Sequence, residues 1–158
     1  MTKLKIQLEL LAWLLTAVAT YLIIYPILGG FSKFEFLYMN VLFVVVFITY
    51  TRYTFLLRHT FLAHFQVGKF IVIFASIPLV FYLGQCIYYF EDFMGDKGLA
   101  SFETYLNPAI SYDEQQAALN YMSREMVFFG TAAIISAIIL PFRLLISYWR
   151  VFNGAGKV

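Results

Sequence analysis

Residues 111–149 read SYDEQQAALNYMSREMVFFGTAAIISAIILPFRLLISYW, and two signals meet in them. Ser111 followed three residues later by Glu114 has the form of a capping box, in which each side chain satisfies an orphan backbone N–H of the other's residue at a helix start. Asn107-Pro108 just upstream favours a turn before it. From Met126 to Trp149 the chain is almost wholly apolar, and roughly 20 such residues cross a bilayer as a helix. No helix breaker intervenes before Gly130. The pattern predicts one continuous helix from about Tyr112 to Trp149. At ~1.5 Å per residue it is roughly 55 Å long, well beyond a hydrocarbon core of ~30 Å. Residues 126–149 are its membrane span, and its first turns stand above the outer surface.

Three further apolar runs precede this one. Residues 8–28 read LELLAWLLTAVATYLIIYPIL, with Pro26 and Gly29-Gly30 as the expected terminators. Lys3 and Lys5 before it and Ala17-Val18-Ala19 within it have the look of a secretory signal, but apolar sequence continues through Ile24, which favours a retained helix. Residues 34–54 form the second span. The short connection between them makes a helical hairpin. Residues 52–69 mix Arg52, Arg58, His59, His64 and Lys69 with Phe55, Phe61 and Phe65, the mark of a helix end and turn in the interface, with Arg52 snorkelling to the headgroups. Residues 70–90 form the third span, with Pro78 expected to kink it. The spans lack the alternating pattern of a membrane barrel.

Composition agrees. Of 158 residues, 62% are hydrophobic and 13% charged, against about a quarter charged in soluble domains. Lipid accommodates apolar side chains that no single small core could bury. The lone cysteine, Cys86, lies in an apolar run and reads as a small packed residue. The fold expected is an all-α membrane protein, one domain over residues 1–158, with four transmembrane helices in an antiparallel bundle and a fourth helix extended beyond the outer surface.

Orientation follows from Lys and Arg. Lys3, Lys5, Arg52, Arg58, Lys69, Arg143, Arg150 and Lys157 fall on one side; Lys33, Lys97 and Arg124 fall on the other. The positive-inside bias places both termini in the cytoplasm, and the Phe-, Tyr- and Ile-rich usage suits a prokaryotic inner membrane. Residues 91–125 then form an outer loop and helix with seven acids against Lys97 and Arg124. Gly95 and Gly98 suggest a turn there. Ala117, Ala118, Tyr121 and Met122 form an apolar stripe, packing on the same loop or docking another protein.

Small residues at four-residue spacing, Ala12, Thr16 and Thr20 in the first span and Ala133 and Ala137 in the fourth, mark close-packing faces, either within the bundle or against a partner's helix. Intramembrane polar groups are Glu9, Asn40, Gln85 and Arg143. Glu9 sits one turn from Lys5, and Asn40 and Gln85 fall in the outer halves of their helices, where a mutual hydrogen bond is expected. His59 and His64 lie in a turn, not at membrane depth on facing helices as a haem would want, and suit no zinc site. Glu91, Asp92 and Asp96 read as a solvated acidic rim lacking calcium-loop spacing. No phosphate loop or nucleophile motif occurs. The basic residues suit anionic lipid headgroups better than nucleic acid.

These features lead to an expected non-catalytic accessory or scaffold subunit of a larger inner-membrane complex, such as an ion-driven motor, secretion or respiratory assembly. It needs no cofactor or metal, and its partners are the bilayer and other membrane subunits. A small oligomeric transporter is the alternative. Glu9 as the one acid of the first helix is similar to the arrangement in the small multidrug-resistance exporters, four-helix proteins with an acid in helix one. The long acidic loop and strong Lys/Arg bias depart from that family. A quinone- or haem-binding subunit is the third reading, resting on aromatic content alone.

Overall fold

The computed structural model describes residues 3–63 and 65–154; His64 and Lys157, assigned above to the cytoplasmic side, lie outside them. Four α-helices, each long and apolar enough to cross a membrane, account for most of the chain. They are α1 (Lys3–Gly30), α2 (Leu37–Leu56), α3 (Gln66–Lys97) and α4 (Tyr112–Phe152). Short 3-10 turns at Leu57–His59, Phe61–Ala63 and Leu99–Tyr105 join them. Among the described residues there is no strand; the nearest to one is an isolated bridge between Phe31 and Leu106. In each helix at most a third of the most apolar 18-residue window is buried. Such helices leave their apolar surface for lipid rather than for a core.

The fourth helix starts where the sequence places it. Ser111 accepts from the Glu114 backbone N–H while the Glu114 carboxylate accepts from the Ser111 backbone N–H, closing the capping box. These bonds hold the Glu114 carboxyl below its ordinary range. From there the helix runs unbroken for 41 residues, through Pro141. Pro26 does not end α1, which passes it and stops at Gly30, the expected glycine terminator; Pro78 lies inside α3, where the sequence places it. Three helices also outrun the apolar runs of the sequence. α3 begins at Gln66 and continues through Gly95 to Lys97. Gly98, with φ of 68°, ends it in the left-handed region that glycine adopts without strain.

The axis of the assembly is α4, against which α2 and α3 both pack extensively, while α1 makes a lighter contact with α2 and α4. The reason lies in α4's side chains. Ala118, Met122, Met126, Gly130, Ala133, Ala137, Leu140 and Leu144 recur at three- and four-residue steps and are all buried. Small residues in this series let neighbouring backbones approach; a Cβ on Gly130 would meet Ile87 at 2.7 Å.

At one end of the bundle, here the loop end, the chain after α3 folds back. Ser32 N donates to Tyr105 O at 2.8 Å and Asn107 N donates to Gly30 O at 2.9 Å. The Asn107 side chain donates to Gly29 O and accepts from Ala109 N, making the expected turn. Phe102 is thereby buried among Phe31, Phe34, Phe36 and Phe93, with ring centroids 5.1–6.4 Å apart. Such spacings are those of favourable edge and tilted aromatic contacts.

Candidate functional site

Among the polar contacts between helices of the described residues, three joints pair buried or half-buried residues that the sequence left apart. The first lies at the loop end. Asn40 on α2 is fully buried, and its Nδ2 donates to Glu125 Oε2 on α4 at 2.6 Å. Glu125 itself is 5% exposed. The expected bond between Asn40 and Gln85 does not form: Gln85 faces outward on α3. Glu125, counted among the seven acids of the segment 91–125, is inside the helix packing. A signal for this was present, because Glu125 stands seven residues after Ala118 and three after Met122, on the buried stripe of α4.

The second joint is at the opposite end. Arg52 Nη2 and Tyr53 OH both donate to Glu9 Oε1 at 2.6 Å. The Arg52 guanidinium also lies 4.6 Å from the Tyr53 ring centroid and 6.0 Å from that of Trp13. Arg52 therefore turns into the protein to meet α1 rather than snorkelling away. Its planar fork suits a carboxylate and an aromatic face at once.

The third joint joins α3 to α4 at that same end. Lys69 is wholly buried, and its Nζ donates to Ser147 Oγ at 2.9 Å. The sequence placed Lys69 in the interfacial turn; the helix α3 starts three residues earlier and draws it inside. Arg143 is half-buried on the same stretch of α4.

The small-residue faces are where close packing requires them. Ala133 and Ala137 are fully buried. Thr16 and Thr20 are buried and Ala12 half-buried, on the stripe of α1 that continues to Ile24, Ile27 and Gly30. Both threonine hydroxyls donate to carbonyls four residues back, at 2.9 and 2.8 Å, so the face is apolar towards its neighbours. In the stripe at the start of α4, Ala118 and Met122 are buried, whereas Ala117 and Tyr121 line an open groove beside Pro26 and Gly29 of α1. Tyr121 OH reaches across to Ile23 O at 2.8 Å. His59 is exposed in its turn, and Glu91, Asp92 and Asp96 are exposed at the end of α3. Cys86 is a free, buried thiol.

Ala132 and Ser136 flank the buried alanines and floor a groove of about 370 Å³ between α2 and α4. Its walls are Phe47, Phe55, Ile135 and Ile139. Ser136 Oγ donates to Ala133 O, so this hydroxyl too is satisfied within its own helix.

Four apolar helices joined by buried polar contacts define a multi-pass helical membrane protein. Compared with protein-family models, curated proteins and solved structures, the chain matches none.

Proposed function

We propose that this protein is a non-catalytic accessory or scaffold subunit of a larger assembly in a prokaryotic inner membrane. Its four helices run antiparallel with both termini cytoplasmic, and the start of α4 and the acidic segment 91–125 stand on the outer side. The eight-to-three distribution of Lys and Arg supports that orientation.

The observation that carries the proposal is the groove between α2 and α4. Small residues form its floor and aromatic and branched side chains its rims. In a bilayer, helices associate by van der Waals fit and not by escape from water, and faces of this make-up accept a helix closely. The polar joints support the same reading. Glu9, the acid on which a transport reading starts, is engaged by Arg52 and Tyr53 and serves to hold α1 on α2.

The test is purification of the tagged full-length chain in mild detergent, beside variants that fill the groove, Ala132→Phe and Ser136→Phe. Another membrane protein should co-purify in fixed stoichiometry with the unaltered chain and be lost from the filled variants, whose own folding is unchanged by circular dichroism. Isolation of the unaltered chain as a partner-free, colourless monomer overturns the proposal.

A further inference from the structure

The Asn40–Glu125 pair leaves two atoms over. Asn40 Oδ1 and Glu125 Oε1 are both buried and neither has a hydrogen-bond partner. Both are acceptors when the carboxyl is ionised, and neither can donate to the other. An ionised carboxylate would also stand beside a bare amide oxygen with no cation to balance it. Among the described residues, Glu125 makes no ion pair; the Glu9–Arg52 pair is the one formed. Taking an uncompensated carboxylate out of water costs several kcal/mol, which a buried group avoids by taking up a proton.

The leftover atoms are one from each group. One proton on Oε1 would satisfy both. The acid O–H then donates to Asn40 Oδ1 while Asn40 Nδ2–H donates to Glu125 Oε2, closing a two-bond ring between a carboxylic acid and an amide.

We propose that Glu125 and Asn40 form a proton-binding site, in which the carboxyl of Glu125 is held as the neutral acid by a paired hydrogen-bond ring across the α2–α4 contact. The proton comes from water in the groove that Glu125 lines with Asn120, Tyr121, Arg124 and Phe128. On uptake the carboxylate loses its negative charge; on release the proton returns to that water and two buried acceptor oxygens are left without a donor. The charged and titratable groups near the pair are few. On α4 they are Tyr121, whose hydroxyl is committed to Ile23 O, and Arg124, which is exposed. On α2 Tyr38 points outward, on α3 Cys86 is buried and Tyr89 exposed, and on α1 Tyr21 and Tyr25 are exposed. The site therefore responds to proton activity at the loop end through one group, and it sits on the most extensive helix contact of the molecule.

Infrared difference spectroscopy of the full chain in phosphatidylcholine–phosphatidylglycerol vesicles tests this. With glutamate-selective carbon-13 labelling, the band of a hydrogen-bonded, protonated carboxylic acid is expected at neutral pH. It shifts with the label, disappears in Glu125→Gln, and moves to the position of a weakly bonded acid in Asn40→Leu. Raising the pH should replace it by carboxylate bands. Glu125→Gln keeps both bonds of the ring through its amide, so its thermal midpoint should not fall between neutral and alkaline pH, whereas that of the unaltered chain should fall by several degrees. Carboxylate bands alone at neutral pH overturn the proposal. Carboxylate bands that change when sodium replaces choline also overturn it, in favour of a cation between the two oxygens. An acid band unmoved by Asn40→Leu rules out the ring. If Glu125→Gln fails to fold, the labelled unaltered chain and Asn40→Leu still decide.

Discussion

Arg52 shows what a single residue can do at the edge of a bilayer. Its side chain is 13% exposed and that of its partner Glu9 is 18% exposed, so water screens the pair only partly. Removing one partner leaves a half-buried charge. Arg52→Ala is expected to cost about 2 kcal/mol, whereas Arg52→Gln combined with Glu9→Gln should cost clearly less than the sum of the single changes. Reversible unfolding of the full chain in detergent micelles measures this. Strictly additive effects would show that the pair does not join α1 to α2. The sequence displayed each polar residue of the spans but not its partner. Glu9 finds Arg52 across 43 positions and Asn40 finds Glu125 across 85. Periodicity within one helix says which face a residue is on. It does not say which residue on another helix arrives at the same depth.

Elements were more legible than contacts. Four spans, the capping box at Ser111 and the unbroken run of α4 can all be read from apolar length and capping chemistry, because these are local. The bounds at the polar ends could not. Gln66 and Lys97 are helical although polar, and helix ends of this kind carry no apolar signal that fixes them to the residue. Pro26, Pro78 and Pro141 sit inside helices because a membrane helix makes up a missing backbone bond from its neighbours. α1 and α4 approach closely at Gly30. A Cβ built on Gly30 would lie 2.3 Å from Ala118 Cβ. Gly30→Ala should therefore destabilise the fold by about 2 kcal/mol, and Ala118→Gly in the same chain should restore much of the loss. Unfolding midpoints of the single and double variants check this. No effect from Gly30→Ala would show that α1 and α4 stand further apart.

At the scale of the whole molecule, four helices and their lipid-facing surfaces follow from composition, but the way the bundle faces is a separate matter. The positive-inside reading gives a definite expectation in a Cys86→Ser background, where no native thiol remains. Asp113→Cys, at the exposed start of α4, should react with a membrane-impermeant maleimide in intact spheroplasts, and Arg58→Cys only after lysis. The reverse pattern would invert the molecule and move the groove beside Glu125 to the cytoplasmic side.

The central place of α4 has a consequence for how the protein is made. Ribosomes deliver helices in order, and this one is delivered after α1, α2 and α3. Until it enters the bilayer, α2 and α3 have little to hold each other by, since each packs mainly on α4. Asn40 and Lys69 meanwhile sit in the lipid with neither Glu125 nor Ser147 yet synthesised. The nascent chain is thus a pair, α1 on α2 through Glu9 and Arg52, beside an α3 with little to hold it, and the bundle closes in one late step.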